Sequence, residues 1–133
     1  MKIRLLLILA LLFSMACATG GARHTATVTV VSAHAVLSAV QDTEKAMVCG
    51  QSDAPPAPAC VTPEKHREIS GHLVTAFDLD GQIAQLVRAL PAGSTLPANV
   101  PNLLGQIAAL VQKVLALIPN STTKDALVQR IGA

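Results

Sequence analysis

Aromatic side chains are almost missing from this sequence, which has two phenylalanines and neither tryptophan nor tyrosine among its 133 residues. Charged residues are also few, and the net charge of +2 comes from Lys2 and Arg4 near the start. The rest of the chain has eight basic and eight acidic side chains, so its formal charge is zero. Proteins that bind nucleic acid need clustered basic residues and, for single strands, aromatic stacking. The composition therefore argues against nucleic acid as a partner.

Catalytic motifs are missing as well. The sequence has no GxSxG, no P-loop, no GxGxxG and no cysteine-protease signature. It has no HExxH zinc motif, and His66 and His72 are six positions apart, which places them on different faces of a helix. We therefore predict that the chain is not an enzyme, binds no cofactor and holds no metal.

The first residues have the order of an export signal. Lys2 and Arg4 are followed by the unbroken apolar run from Leu5 to Phe13 and then by small residues. The apolar stretch from Leu5 to Ala18 is 14 residues long, whereas a helix that spans a membrane needs about 20. We predict a signal peptide over residues 1–18.

Two cleavage sites fit this segment, and both stay open. The small residues Ala16 and Ala18 permit a cut before Thr19. Alternatively, Ser14-Met15-Ala16-Cys17 resembles the lipobox of bacterial lipoproteins, although Ser14 stands where leucine is usual. That resemblance implies a cut before Cys17, a lipid on its sulfur, a flexible tether over residues 19–24, and attachment to a membrane in the bacterial cell envelope. Cleavage before Thr19 implies a freely secreted chain.

With either cut, Cys49 and Cys60 form an even pair of cysteines, one at each end of a proline-rich polar stretch. A disulfide persists outside the cytoplasm, and closing a loop this short stabilises a fold by roughly 3 kcal/mol in the chain-entropy model. A redox pair usually has CxxC spacing, which these cysteines lack. We predict a structural disulfide between them.

The remaining residues, 25–133, predict one all-α domain. It is a small helical bundle: an antiparallel helical hairpin stapled by the disulfide, a third apolar helix and a short C-terminal helix. Apolar residues spaced three and four apart predict helices over residues 26–48, 63–90, 100–118 and 122–132. A short strand over residues 25–31 is an alternative, because TATVTVV alternates and is β-branched. Thr62 and Pro63 are typical of a helix start, and Gly81 is a candidate for a break in the second helix.

The third helix, over residues 100–118, is apolar on nearly every side, which is typical of the central helix of a bundle. It is also a candidate surface for a partner or for self-assembly, and a weaker candidate for membrane insertion. The candidate interaction face consists of Leu103, Leu104, Ile107, Val111 and Leu115.

Two carboxylates occupy apolar-face positions of the hairpin helices. Folding the chain at the disulfide brings together residues whose numbers sum to about 110, so Glu44 approaches His66 and Asp80 approaches Val30. We predict a hydrogen-bonded Glu44–His66 pair, with two solvent-exposed side chains as the alternative. Burying a lone carboxylate is costly, so we place Asp80 at a rim or a helix break.

These features favour a non-enzymatic exported envelope protein that acts through protein–protein interaction or self-assembly. The alternative is a carrier of a lipid or a small apolar ligand, with a pocket lined by Leu103, Ile107 and Val111. An enzyme would need two or more of His66, Ser70 and Asp80 in one cleft.

Overall fold

The computed structural model describes residues 22–91 and 93–132. Four helices occupy most of this part of the chain: α1 (Ala22–Met47), α2 (Pro63–Arg88), α3 (Val100–Leu117) and α4 (Thr122–Ile131). The described residues form no strand, and the only pairing of strand type is an isolated bridge between Val48 and Val61. The predicted all-α bundle is confirmed.

Two predictions for the N-terminal part need correction. The tether predicted over residues 19–24 overlaps α1, because the helix begins at Ala22. Residues 25–31 are helical throughout, so the strand alternative is wrong. The predicted signal peptide and Cys17 lie outside the described residues.

Helix α2 begins where Thr62 and Pro63 predict it. The Thr62 hydroxyl accepts a hydrogen bond from the Lys65 backbone amide at 3.4 Å, and Pro63 occupies the first helical position. The helix then continues through Gly81 without a break, although glycine lowers helix stability. A helix packed on two sides tolerates that loss, because tertiary contacts outweigh propensity.

Helix α4 is capped by Ser121, whose hydroxyl accepts from the Lys124 amide at 3.1 Å. The Lys124 ammonium donates back to the Ile118 carbonyl at 2.9 Å and to the Asn120 side chain at 3.1 Å. These bonds connect the end of α3 to the start of α4 and fix the turn between the two helices.

The wide apolar surface of α3 suggested that it is the central helix, but α1 is the helix that contacts all three others. Helix α2 forms the two most extensive helix–helix contacts, one with α1 and one with α3. The core is aliphatic, and burial of each large side chain contributes about 1.5–3 kcal/mol. Its most deeply buried apolar side chains are Leu37, Val40, Met47, Val61, Ile69, Ile83, Val100, Val114 and Ile118.

Candidate functional site

The α1–α2 hairpin has a stapled end, which we define by the Cys49–Cys60 disulfide, and an open end, where α1 begins and α2 finishes. The predicted disulfide is present, with the two Cα atoms 5.0 Å apart. The Val61 amide donates to the Met47 carbonyl at 2.8 Å, and the Cys49 amide donates to the Val61 carbonyl at 2.9 Å. The disulfide and these backbone bonds fix how the chain passes from α1 into the loop and from the loop into α2.

The predicted Glu44–His66 pair is also present. Glu44 lies on α1 with only 1% of its surface exposed, and its Oε1 lies 2.5 Å from Nδ1 of His66 on α2. The His66 side chain is 37% exposed. A buried carboxylate needs such a partner, because an unpaired one would lose its hydration without compensation. The pair therefore joins α1 to α2 close to the stapled end.

A second pair joins the same helices nearer the open end. Nδ1 of His34 on α1 lies 3.1 Å from Oδ2 of Asp80 on α2. Asp80 is 5% exposed, so its predicted place at a rim or a helix break is wrong. The carboxylate is buried, but it is not alone. Its second oxygen, Oδ1, is buried with no hydrogen-bond partner among the described residues.

A cleft opens beside this second pair, between α1 and α2, with a volume of about 360 Å³. Its walls are mostly apolar, and the imidazole of His34 and the guanidinium of Arg88 are its most exposed polar groups. The Phe77 ring meets the imidazole edge to face, with the ring centres 5.6 Å apart. The residues that line the cleft are Val30, Val31, His34, Phe77, Asp80, Gly81, Ala84 and Arg88.

The predicted interaction face on α3 lies mainly inside the bundle. Leu104, Ile107, Val111 and Leu115 are buried in the core, and Leu103 is half-buried against it. The exposed side of α3 instead carries small and polar residues: Asn102, Gly105, Gln106, Ala109, Lys113 and Ala116. The cleft between α1 and α2 therefore differs in place and lining from the pocket expected around Leu103, Ile107 and Val111.

Sequence reasoning missed the cleft, although one signal pointed toward it. The hairpin register placed Asp80 near Val30, and both residues line the cleft. His34 follows Val30 by one helical turn, which puts it within reach of the same carboxylate. Periodicity alone does not reveal a gap between two packed helices.

The ionisable side chains of the cleft are those of His34, Asp80 and Arg88. None of the described residues that line it is a serine, threonine or cysteine, so they supply no hydroxyl or thiol nucleophile. His66 and Ser70 do not line it, and Asp80 is paired with His34. Within residues 22–91 and 93–132, no group of three or more histidine, cysteine or acidic side chains is arranged to hold a metal.

One described helix, α3, is long and apolar enough to cross a membrane by length and composition alone. A third of that helix is buried in the bundle, and core helices of soluble proteins meet the same criterion. Comparison of the chain with protein-family models, with curated proteins and with solved structures found no match.

Proposed function

We propose that this chain is an exported, non-enzymatic binding protein that holds a small apolar molecule in the cleft between α1 and α2. The observation that carries the proposal is the cleft itself, which is walled by Val30, Val31, Phe77 and Ala84. Val31 is 63% exposed, an unusual exposure for a large aliphatic side chain in this bundle. A volume of about 360 Å³ lies within the range of small-molecule sites.

The absence of enzymatic activity is part of the proposal. A histidine paired with a carboxylate is found in many catalytic sites, and the cleft contains one such pair. The hairpin, however, contains a second pair of the same chemistry, Glu44–His66, which does not line the cleft. Both pairs connect α1 to α2, so helix cross-linking accounts for both without a catalytic role.

Export and membrane attachment belong to the same proposal. The disulfide supports an oxidising compartment, and Cys17 is the proposed site of lipid attachment. Mass spectrometry of the protein purified from its native host tests both points. A lipid mass on an N-terminal Cys17 is the expected result, whereas an unmodified chain that begins at Thr19 would indicate secretion without an anchor.

Binding of a protein partner, or self-assembly, is a second candidate function. It is favoured by Val31 at the edge of the cleft and by Val74, which is 62% exposed elsewhere on α2. Sedimentation of the purified protein over a range of concentrations tests self-assembly, and a constant monomer mass would contradict it.

The cleft can be tested by filling it. Gly81 lines the cleft, and a Cβ atom added there meets no other atom within 4 Å. Gly81→Leu should therefore fold, gain about 1 kcal/mol of helix stability and lose binding of an apolar probe. Gly71 lies on the same helix, also has open space at its Cβ and does not line the cleft. Gly71→Leu is thus the matched control, which should gain stability and keep binding.

The single phenylalanine of the cleft supplies the readout. Phe13 lies in the predicted signal peptide, so Phe77 is the only phenylalanine of the processed chain. Labelling the processed protein with fluorophenylalanine should therefore give a single ¹⁹F resonance, that of Phe77. Titration with 1-octanol should shift the Phe77 resonance in the parent protein and in Gly71→Leu, but not in Gly81→Leu. A Phe77 resonance that does not respond in the parent protein would refute the proposed function.

A further inference from the structure

We infer that the ligand of this cleft is neutral and carries a hydroxyl group that donates a hydrogen bond to Nε2 of His34. This inference rests on the proposed function, because it assumes that the cleft binds an apolar small molecule. It adds the polar group that such a molecule needs and the atom of the protein that recognises it.

The Asp80 carboxylate sets the tautomer of the imidazole. An ionised carboxylate only accepts hydrogen bonds, so the contact of 3.1 Å between Nδ1 and Oδ2 requires that Nδ1 carries the proton. In a neutral imidazole the other nitrogen is then an acceptor. Nε2 has no hydrogen-bond partner within the described part of the chain. When the imidazole is neutral, Nε2 is therefore a lone-pair acceptor on a ring that lines the cleft.

The imidazole is held in place by two contacts. The first contact is with Asp80, which is itself buried in the hairpin with 5% of its surface exposed. The second is an edge-to-face contact with the Phe77 ring, with an angle of 68° between the two ring planes. The His34 side chain is nevertheless 62% exposed, so a ligand can reach it. An acceptor that is fixed before binding loses little freedom when the ligand arrives, which favours recognition of a matching donor.

The formal charges that line the cleft cancel, so the hydrogen-bond acceptor on His34 decides which polar group the ligand carries. Asp80 and Arg88 have opposite formal charges, and Arg88 forms no ion pair with any described residue. An amine would meet the positive charge of Arg88. A carboxylate would be attracted to Arg88, but it could not donate a hydrogen bond to Nε2 and would leave that acceptor unpaired. A hydroxyl group avoids both conflicts, and the apolar walls accept the rest of the molecule.

The test compares two isomers, 1-octanol and 1-methoxyheptane. They have the same atoms and similar shapes, but only the alcohol can donate a hydrogen bond. We expect the alcohol to bind at least about fivefold more tightly, which corresponds to one ordinary hydrogen bond. The Phe77 ¹⁹F resonance reports both titrations, and ¹⁵N chemical shifts of His34 report which ring nitrogen carries the proton.

A double variant, His34→Phe with Asp80→Leu, removes the acceptor together with the buried carboxylate that it satisfies. Replacing both partners by apolar groups avoids leaving an unpaired charge, so this variant should fold and bind the ether. It should lose the preference for the alcohol. His72→Phe is the control, because His72 is on α2 but does not line the cleft, and it should keep the preference.

The outcomes separate this inference from the proposed function. Equal affinities for the two isomers in the parent protein, or a proton on Nε2 of His34, would overturn the inference while the cleft remained a binding site. A preference for the alcohol that survives in the double variant would overturn it too. If neither isomer shifts the Phe77 resonance, both the inference and the proposed function fail.

Discussion

A histidine–carboxylate pair joins α1 to α2 at two places in the hairpin, and the helices that supply the histidine and the carboxylate are exchanged between them. At the stapled end, Glu44 comes from α1 and His66 from α2; nearer the open end, His34 comes from α1 and Asp80 from α2. The stapled end also has the disulfide and two backbone bonds. The other pair has a more exposed histidine, a carboxylate oxygen with no hydrogen-bond partner in residues 22–91 and 93–132, and a cleft beside it.

The same pair of side-chain types lies in two different surroundings, beside a disulfide at one end of the hairpin and beside a cleft nearer the other. A covalent link beside the Glu44–His66 pair keeps the helices together, so that pair closes the core. No comparable link joins the described residues around His34 and Asp80, and the gap beside them leaves room for a ligand. The stapled end therefore has more links between the two helices than the part of the hairpin that contains the cleft.

The largest expected effect comes from removing the disulfide. The variant with Cys49→Ala and Cys60→Ala should lose about 3 kcal/mol of unfolding free energy, because the unfolded chain is no longer cross-linked. Urea denaturation followed by far-ultraviolet circular dichroism measures the loss. The parent protein unfolded in the presence of a reductant is the control, and it should lose a similar amount. A change below about 1 kcal/mol would show that the staple does not stabilise the fold.

His66→Ala should have the next largest effect. It leaves the Glu44 carboxylate, which is 1% exposed, without its partner, and an unsatisfied buried group costs about 1–3 kcal/mol, more when it is charged. We expect a loss of about 2 kcal/mol. In Glu44→Gln with His66→Ala the buried charge is absent, so part of the loss should be recovered. If the double variant were no more stable than His66→Ala, the buried charge would not be the cause.

His34→Ala should lower the free energy of unfolding by about 1 kcal/mol less than His66→Ala does, although the two pairs have the same chemistry. The His34 side chain is 62% exposed and adjoins an open cleft, so water can reach Asp80 once the ring is gone and replace part of the lost hydrogen bond. The two variants are measured in the same denaturation series. Equal losses at both sites would remove the distinction between the two ends.

The sequence predicted those parts of the fold that depend on neighbouring residues. Thr62 and Pro63 mark the start of α2 through a capping hydrogen bond and a fixed backbone angle, which are local effects. The Glu44–His66 pair was predictable because both residues lie close to the disulfide. An error in the hairpin register has little effect at so short a distance from the staple.

The errors concern contacts between distant segments. Asp80 was expected at a rim because a lone buried carboxylate is costly, but its partner His34 is 46 residues away. The register rule placed Asp80 beside Val30, and only three-dimensional packing shows that the ring one turn further along α1 reaches it. Likewise, α3 looked central because its surface is apolar, whereas α1 contacts all three other helices and α2 forms the two most extensive contacts. Sequence periodicity measures how wide an apolar surface is, not how many neighbours cover it.

The smallest expected effect is the difference in stability between two variants, in which an arginine near one or the other end of α2 is replaced. Arg88 lies in the last turn, where a positive charge stabilises the negative end of the helix dipole, typically by about 0.3–1 kcal/mol at an exposed position. Arg67 is exposed in the early part of the same helix, where this benefit is absent. Arg88→Gln should therefore lose about 0.5 kcal/mol in low salt, and Arg67→Gln should lose nothing measurable. Raising the salt concentration should reduce the difference, because exposed charges are screened. A difference that persists in high salt would mean that Arg88 stabilises the open end by packing against the apolar wall of the cleft rather than by its charge.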